Sequence, residues 1–220
     1  MNTAPRVKIC CIASVHEARL ALDAGAAALG LVSHMPSGPG VISDARIQEI
    51  AAALGPPART FLLTARTQAE AIAEQHAAAG TTTLQLVDHV PHAQLRRLRA
   101  LRPGVELVQV IHVTGEASID EAVQAAPWVD AILLDSGNPA LAVKQLGGTG
   151  RTHDWALSRR IREAIAPLPL WLAGGLRAHN VAAALAAVQP HGLDLCNGVR
   201  SAGHLDAELL HAFMAAVRAA

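Results

Sequence analysis

A thiol and a carboxylate, each at the end of a short apolar run, are the residues in this chain best suited to chemistry. Cys10 follows Lys8-Ile9, and Asp135 terminates Ala131-Ile132-Leu133-Leu134. Side chains alternate in direction along an extended segment, so Lys8 and Cys10 share one face and Val7, Ile9 and Cys11 the other. A lysine is costly against an apolar layer, which sends Lys8 and Cys10 inward and leaves Cys11 packing outward as a small hydrophobe. A cysteine works as a base when a nearby cation stabilises its thiolate, and Lys8 is placed to supply one. With Asp135 opposite, the set is a general base and a general acid. The plainer alternative makes Cys10 a buried structural thiol and Asp135 a cap; their joint position at two strand ends favours the catalytic pair.

Glycine placement is the second signal. Gly147-Gly148-Thr149-Gly150 follows the Asp135 segment, Gly174-Gly175 follows the next apolar run, and Gly198 the last. Bare glycines let backbone N–H groups converge on an anion, and three such clusters near one another point to a phosphate-bearing ligand, with Asn197 beside the third. Tight turns alone account for any single cluster.

The elements that would position these residues alternate throughout the chain. Strand-like runs at Val7–Ile12, Ala28–Ser33, Arg59–Thr64, Thr83–Val87, Glu106–His112, Ala131–Asp135, Pro169–Ala173 and Leu193–Asn197 are each followed by an amphipathic helical pattern. The helices are predicted at Val15–Ala24, Asp44–Leu54, Gln68–Ala79, Pro91–Leu101, Ser118–Ala126, Asp154–Ala166, Asn180–Val188 and Ala207–Ala219. Ser14, Ser43 and Asn180 read as N-caps, and Gly25, Gly55, Gly80 and Gly104 as helix stops. Eight short βα units predict a single α/β domain over residues 1–220, a closed (β/α)8 TIM barrel whose reactive groups lie at the C-terminal ends of the strands. A dinucleotide-binding sheet would need G-x-G-x-x-G after the first strand, where the chain reads Cys10-Cys11-Ile12-Ala13-Ser14.

Composition narrows the partners. Eighteen basic and eighteen acidic residues cancel, so no long-range field gathers polyanions, and no nucleic-acid partner is expected. Arg96, Arg97, Arg99 and Arg102 read as the solvated face of a helix. Three cysteines, two of them adjacent, suit a reducing, cytoplasmic setting. Met1–Arg6 lacks the pattern of a signal peptide, and no apolar run is long enough to span a membrane. The expected form is a monomer or homodimer.

Four motifs carry a resemblance to the phosphoribosylanthranilate isomerase family. Lys8-Ile9-Cys10-Cys11-Ile12 resembles K-I-C-G-[IL], and Leu133-Leu134-Asp135-Ser136 resembles L-L-D-[ST]. Gly147-Gly148-Thr149-Gly150 with Asp154-Trp155 resembles G-G-T-G-x-x-x-D-W, and Leu172-Ala173-Gly174-Gly175-Leu176 with Asn180-Val181 resembles L-A-G-G-L-x-x-x-N-V. The resemblance implies an Amadori rearrangement of N-(5-phosphoribosyl)anthranilate to 1-(2-carboxyphenylamino)-1-deoxyribulose 5-phosphate in tryptophan biosynthesis, an aldose–ketose isomerisation without metal or organic cofactor. By matched position Asp135 is the acid and Cys10 the base. Lys8, Gly147, Gly148, Thr149, Gly174, Gly175, Asn197 and Gly198 fall to substrate binding.

The departures cluster at one end of the expected substrate. Cys11 stands at the glycine of the first motif, and Gly40 stands where the loop motif P-x-S-P-R-x-[VI]-[ST] has arginine. Gln85-Leu86-Val87-Asp88 departs from Q-L-H-G, and Asn197-Gly198-Val199-Arg200 from S-G-V-E. Arg66 and Arg200 are the candidates to replace the missing arginine. Competing readings are a phosphosugar-binding protein, a metal-dependent ribulose-phosphate epimerase type of enzyme using His34, His89 and His112 near Asp88, and a Schiff-base aldolase using Lys8 or Lys144.

Overall fold

The computed structural model describes residues 5–220; residues 1–4, which include most of the segment read as lacking a signal peptide, lie outside them. Eight parallel strands close on themselves in sequence order: β1 (Arg6–Ile9), β2 (Ala28–Val32), β3 (Thr60–Thr64), β4 (Thr83–Leu86), β5 (Glu106–His112), β6 (Ala131–Asp135), β7 (Leu170–Leu172) and β8 (Gly192–Leu195). The closing pair β1–β8 aligns Lys8 with Asp194 and Ile9 with Leu195. Around the barrel run α1 (Val15–Asp23), α2 (Asp44–Leu54), α3 (Ala69–Ala79), α4 (His92–Leu101), α5 (Ala117–Ala125), α6 (Trp155–Ile165), α7 (Val181–Val188) and α8 (Ala207–Ala219). The fold is the (β/α)8 barrel that the alternation predicts.

Strand alternation divides the core in two. Outward-facing Ile9, Leu29, Leu31, Leu62, Leu84, Ile111 and Leu134 pack against the helices, while Phe61, Val108, Val110, Leu133 and Trp171 fill the barrel. Phe61 and Trp171 meet edge to face at 5.8 Å and plug the bottom. Above this layer, Cys10, Gln85 and Asp135 point into the upper end of the barrel.

The strand ends differ from the sequence reading at the two segments that matter most. β1 stops at Ile9 rather than Ile12 because Cys11 takes a left-handed φ of 63°, and β8 gives way to a 3-10 turn at Asn197–Val199. Ser14 and Ser43 cap α1 and α2 as predicted, accepting from the backbone N–H of Glu17 and Arg46. Asn180 does not cap α7. Its Oδ1 accepts from Arg177 N at 2.8 Å and its Nδ2 donates to Gly175 O at 3.0 Å, which folds the glycine loop after β7. The α4 arginines are engaged within the protein: Arg97 with Glu70, Arg99 with Asp130, Arg102 with His76 Nδ1, and Arg96 over the Trp128 ring. Among the described residues no helix is long and apolar enough to cross a membrane.

Candidate active site

Cys10 and Asp135 line one cavity at the C-terminal mouth of the barrel, together with Gly147, Gly148, Thr149, Gly174, Gly175, Asn197 and Gly198. Chain segments from four strand ends converge there, so residues far apart in sequence share a single concave surface. Gly30 of β2 makes room for the thiol: a Cβ at that position would stand 2.8 Å from Cys10 Sγ and 3.2 Å from Lys8 Cε.

Asp135 is held by one oxygen and leaves the other facing the cavity. Its Oδ1 accepts from Ser136 N at 2.7 Å and, more weakly, from Ser136 Oγ at 3.4 Å. Ser136 Oγ is in turn 2.6 Å from Thr149 Oγ1. Oδ2 abuts Gly147, where a Cβ would approach to 2.4 Å. Burial raises the carboxyl above its ordinary range against the lowering effect of the Ser136 N–H and of His112, so the group holds its proton more strongly than a solvated aspartate. A carboxyl with raised proton affinity is better suited to act as a general acid than a solvated one.

Lys8 differs from the sequence reading. It is fully buried beneath the cavity and outside its lining, with Nζ 2.8 Å from Asp194 Oδ1 and 5.1 Å from the Phe61 ring centroid. Burial works against the ammonium, but Asp194 more than offsets this and the amine sits above its ordinary range. The pair is neutral overall, so Cys10 lies above a dipole rather than above a bare cation. Cys11 also differs. Its left-handed backbone turns the side chain into the cavity wall instead of outward, and Sγ donates to Pro39 O at 3.7 Å. Hydrogen bonding toward Cys10 and Cys196, with burial, holds the Cys11 thiol protonated well above its ordinary range.

The glycines act chiefly by letting loops touch. A Cβ on Gly148 would stand 2.4 Å from Pro39 Cδ, one on Gly175 2.6 Å from the Arg151 carbonyl carbon, and one on Gly198 2.0 Å from Leu176 O. Gly147, Gly148, Gly174 and Gly175 also carry positive φ, which turns their peptide units in a way L side chains resist. The loop after β6 is thereby drawn over the mouth. Asn197 Nδ2 fixes it by donating to Gly148 O at 3.0 Å, Ser37 Oγ donates to Lys144 O, and Lys144 pairs with Asp88.

Sequence reasoning missed Met35, Ser37, Leu146, Arg177 and Cys196 in the lining. Arg177 follows the Gly174-Gly175 pair by two residues, a position a phosphate reading could have flagged; Ser37 lies in the loop compared with P-x-S-P-R-x-[VI]-[ST] and Cys196 in the run read as the last strand, where neither drew a role. The proposed arginine substitutes lie elsewhere. Arg200 Nη2 is 3.1 Å from Glu17 Oε2 and donates to the carbonyls of Cys10 and Cys11, so it braces the β1 loop from behind. Arg66 is exposed and outside the lining. The histidines also stay apart: His112 is buried with Nε2 3.0 Å from Val87 O, while His34 and His89 are exposed. Among the described residues no group of three or more His, Cys, Asp or Glu side chains is arranged to hold a metal.

Comparison with known proteins agrees with this geometry. The family model described as N-(5'phosphoribosyl)anthranilate (PRA) isomerase matches residues 7–216. The N-(5'-phosphoribosyl)anthranilate isomerase of Synechococcus elongatus is 35% identical over 217 residues, covering 96% of this chain and 95% of that protein. The Haloferax volcanii protein of the same name is 36% identical over 217 residues, covering 98% and 94%. The crystal structure of phosphoribosyl anthranilate isomerase from Thermotoga maritima superposes with a TM-score of 0.83 at 27% identity, covering 98% of this chain and all of that one.

Proposed function

The chain belongs to the N-(5'-phosphoribosyl)anthranilate isomerase family, and from that premise we propose that Cys10 and Asp135 carry its aldose–ketose isomerisation as base and acid. The reaction class is an intramolecular redox isomerisation within tryptophan biosynthesis. The observation that carries the assignment of residues is that the Cys10 thiol and the outward Asp135 oxygen line one cavity beside the glycine loops.

The steps follow from the positions. The phosphate of the substrate lies at the β7–β8 end, where Gly174, Gly175 and Gly198 bring backbone close and Arg177 supplies the positive charge. Asp135 protonates the ribose ring oxygen through Oδ2; the C1–O bond breaks and C1 and the amine nitrogen form a protonated Schiff base. Cys10, as thiolate, removes the proton from C2, giving an enolamine whose tautomerisation places a proton on C1 and a ketone at C2. Asp135 suits the first step because burial raises its affinity for the proton it must donate. Ser136 and Thr149 fix its orientation. Lys8 acts below the cavity as a buried counter-charge to Asp194, which itself reaches the lining.

Turnover of phosphoribosylanthranilate, followed by loss of anthranilate fluorescence, tests the reading with Cys10→Ala and Asp135→Asn. Each variant is expected to lose about 10²–10⁴-fold in kcat while a phosphosugar still raises the melting temperature, because acid–base groups act on the barrier and not on the phosphate. Equal turnover by wild type and both variants would end the assignment.

A further inference from the structure

The cavity is divided by charge. Its β6–β8 side carries Asp135, Arg177 and Asp194, whereas the side built from β1 to β4 presents Cys10, Cys11, Val32, Met35, Leu63, Gln85 and Val87. Among the described residues, no Lys, Arg or His from β1 to β5 or their following loops lines the cavity. The nearby cations are committed or turned away. Lys144 pairs with Asp88, Arg200 with Glu17, Lys8 with Asp194 below the floor, and Arg66 is exposed outside the lining.

This neutral wall is enforced by contact. Gly40, in the loop that borders it, has no room for a side chain: a Cβ there would stand 2.4 Å from Cys11 Cβ and 2.8 Å from Cys11 Sγ. The Cys11 side chain fills that space because its left-handed backbone turns it inward, and Arg200 braces its carbonyl. The thiol is held neutral by burial and by its sulfur neighbours. An arylamine docked on this side meets methionine, leucine, valine and thiol surface, and an ortho-carboxylate on its ring meets no fixed positive partner.

We propose that the arylamine subsite does not read the carboxylate, so that the enzyme isomerises N-(5'-phosphoribosyl)arylamines that lack an acidic group as readily as it does phosphoribosylanthranilate. Cys11 is then a specificity-determining residue, since it keeps position 40 bare. The proposal rests on the isomerase reading above. Chemistry at the sugar is unchanged: Asp135 gives a proton to the ring oxygen, Cys10 takes the C2 proton, and the aryl group only occupies the wall.

The test compares kcat/KM of the wild-type enzyme for phosphoribosylanthranilate and for N-(5'-phosphoribosyl)aniline, which differs only by the carboxylate. A ratio below tenfold is expected. A ratio of tenfold or more in favour of anthranilate overturns the proposal, because a charge-assisted partner contributes about 10-fold or more in affinity. Turnover of neither compound overturns the isomerase reading and this proposal with it, whereas turnover of anthranilate alone overturns only the latter. The pair Gly40→Arg and Cys11→Gly/Gly40→Arg adds a second measurement. The strain of a side chain at the positive φ of Gly40 is common to both and cancels, so the double variant is expected to raise the anthranilate preference at least tenfold over Gly40→Arg. Equal preferences in the two would overturn the role of Cys11, and should either fail to fold the wild-type ratio still decides.

Discussion

Replacing Gly147 by alanine perturbs the acid without touching it chemically. The added Cβ would lie 2.4 Å from Asp135 Oδ2, about 1 Å inside ordinary van der Waals approach, and φ at Gly147 is +122°, a region closed to alanine without strain. Asp135 Oδ1 is tied to Ser136, so the carboxyl relieves the contact by rotating Oδ2 away from the cavity or by pushing the whole loop outward. A displacement of about 1 Å at a reacting group costs on the order of 10²-fold in rate. The expected outcome for Gly147→Ala is therefore a roughly 100-fold fall in kcat with KM changed only a few-fold. The melting temperature should also fall by roughly 2–12 °C, from about 1–3 kcal/mol of backbone strain. Steady-state kinetics in two backgrounds decides the cause. In Asp135→Asn the acid is already absent, so adding Gly147→Ala should cost little more in kcat. An unchanged kcat in the single variant, or a second 100-fold loss on top of Asp135→Asn, would refute the reasoning that Gly147 serves to seat the Asp135 oxygen.

Two further outcomes follow from buried charge. His76 is buried beside Arg102 and burial lowers it to about 4 from 6.5, so between those values the unfolded chain binds the proton that the folded one refuses. Stability from this group is complete above pH 6.5 and declines as pH falls toward 4, by roughly 3 kcal/mol; urea midpoints at pH 7.5 and 5 should differ less in His76→Gln than in wild type, and an equal difference would contradict this. Glu17 bridges Arg200, Ala13 N and Leu205 N, and these bonds lower its carboxyl despite the opposing effect of burial. Glu17→Gln leaves Arg200 without its counter-charge and should cost about 3–5 kcal/mol in unfolding free energy, against a neutral effect if the pair were merely superficial.

The barrel was legible because its signals are local. Apolar runs such as Ala131–Asp135 and Glu106–His112 have strand length, the alanine-rich stretches between them have helical period, and both survive folding unchanged. The placement of Cys10 and Asp135 was legible for a related reason: a polar or thiol side chain ending an apolar strand lies at a barrel mouth, and both line the cavity there. Glycine runs likewise announced loops that approach something closely.

What only the folded molecule decided is whatever depends on a partner distant in the chain. Lys8 was placed inward by alternation, but that it spends its charge on Asp194 beneath the floor follows from the β1–β8 closure, 186 residues apart. Cys11 was sent outward by the same alternation, which assumes extended backbone, and its φ of 63° breaks that assumption. Gly148 and Gly198 read as anion-binding residues, yet the contacts that forbid them a side chain are Pro39 and Leu176, on other loops. Periodicity in sequence fixes which face of an element is buried; which charges meet, and which residue must stay bare, is set by loops that touch only once the barrel has closed.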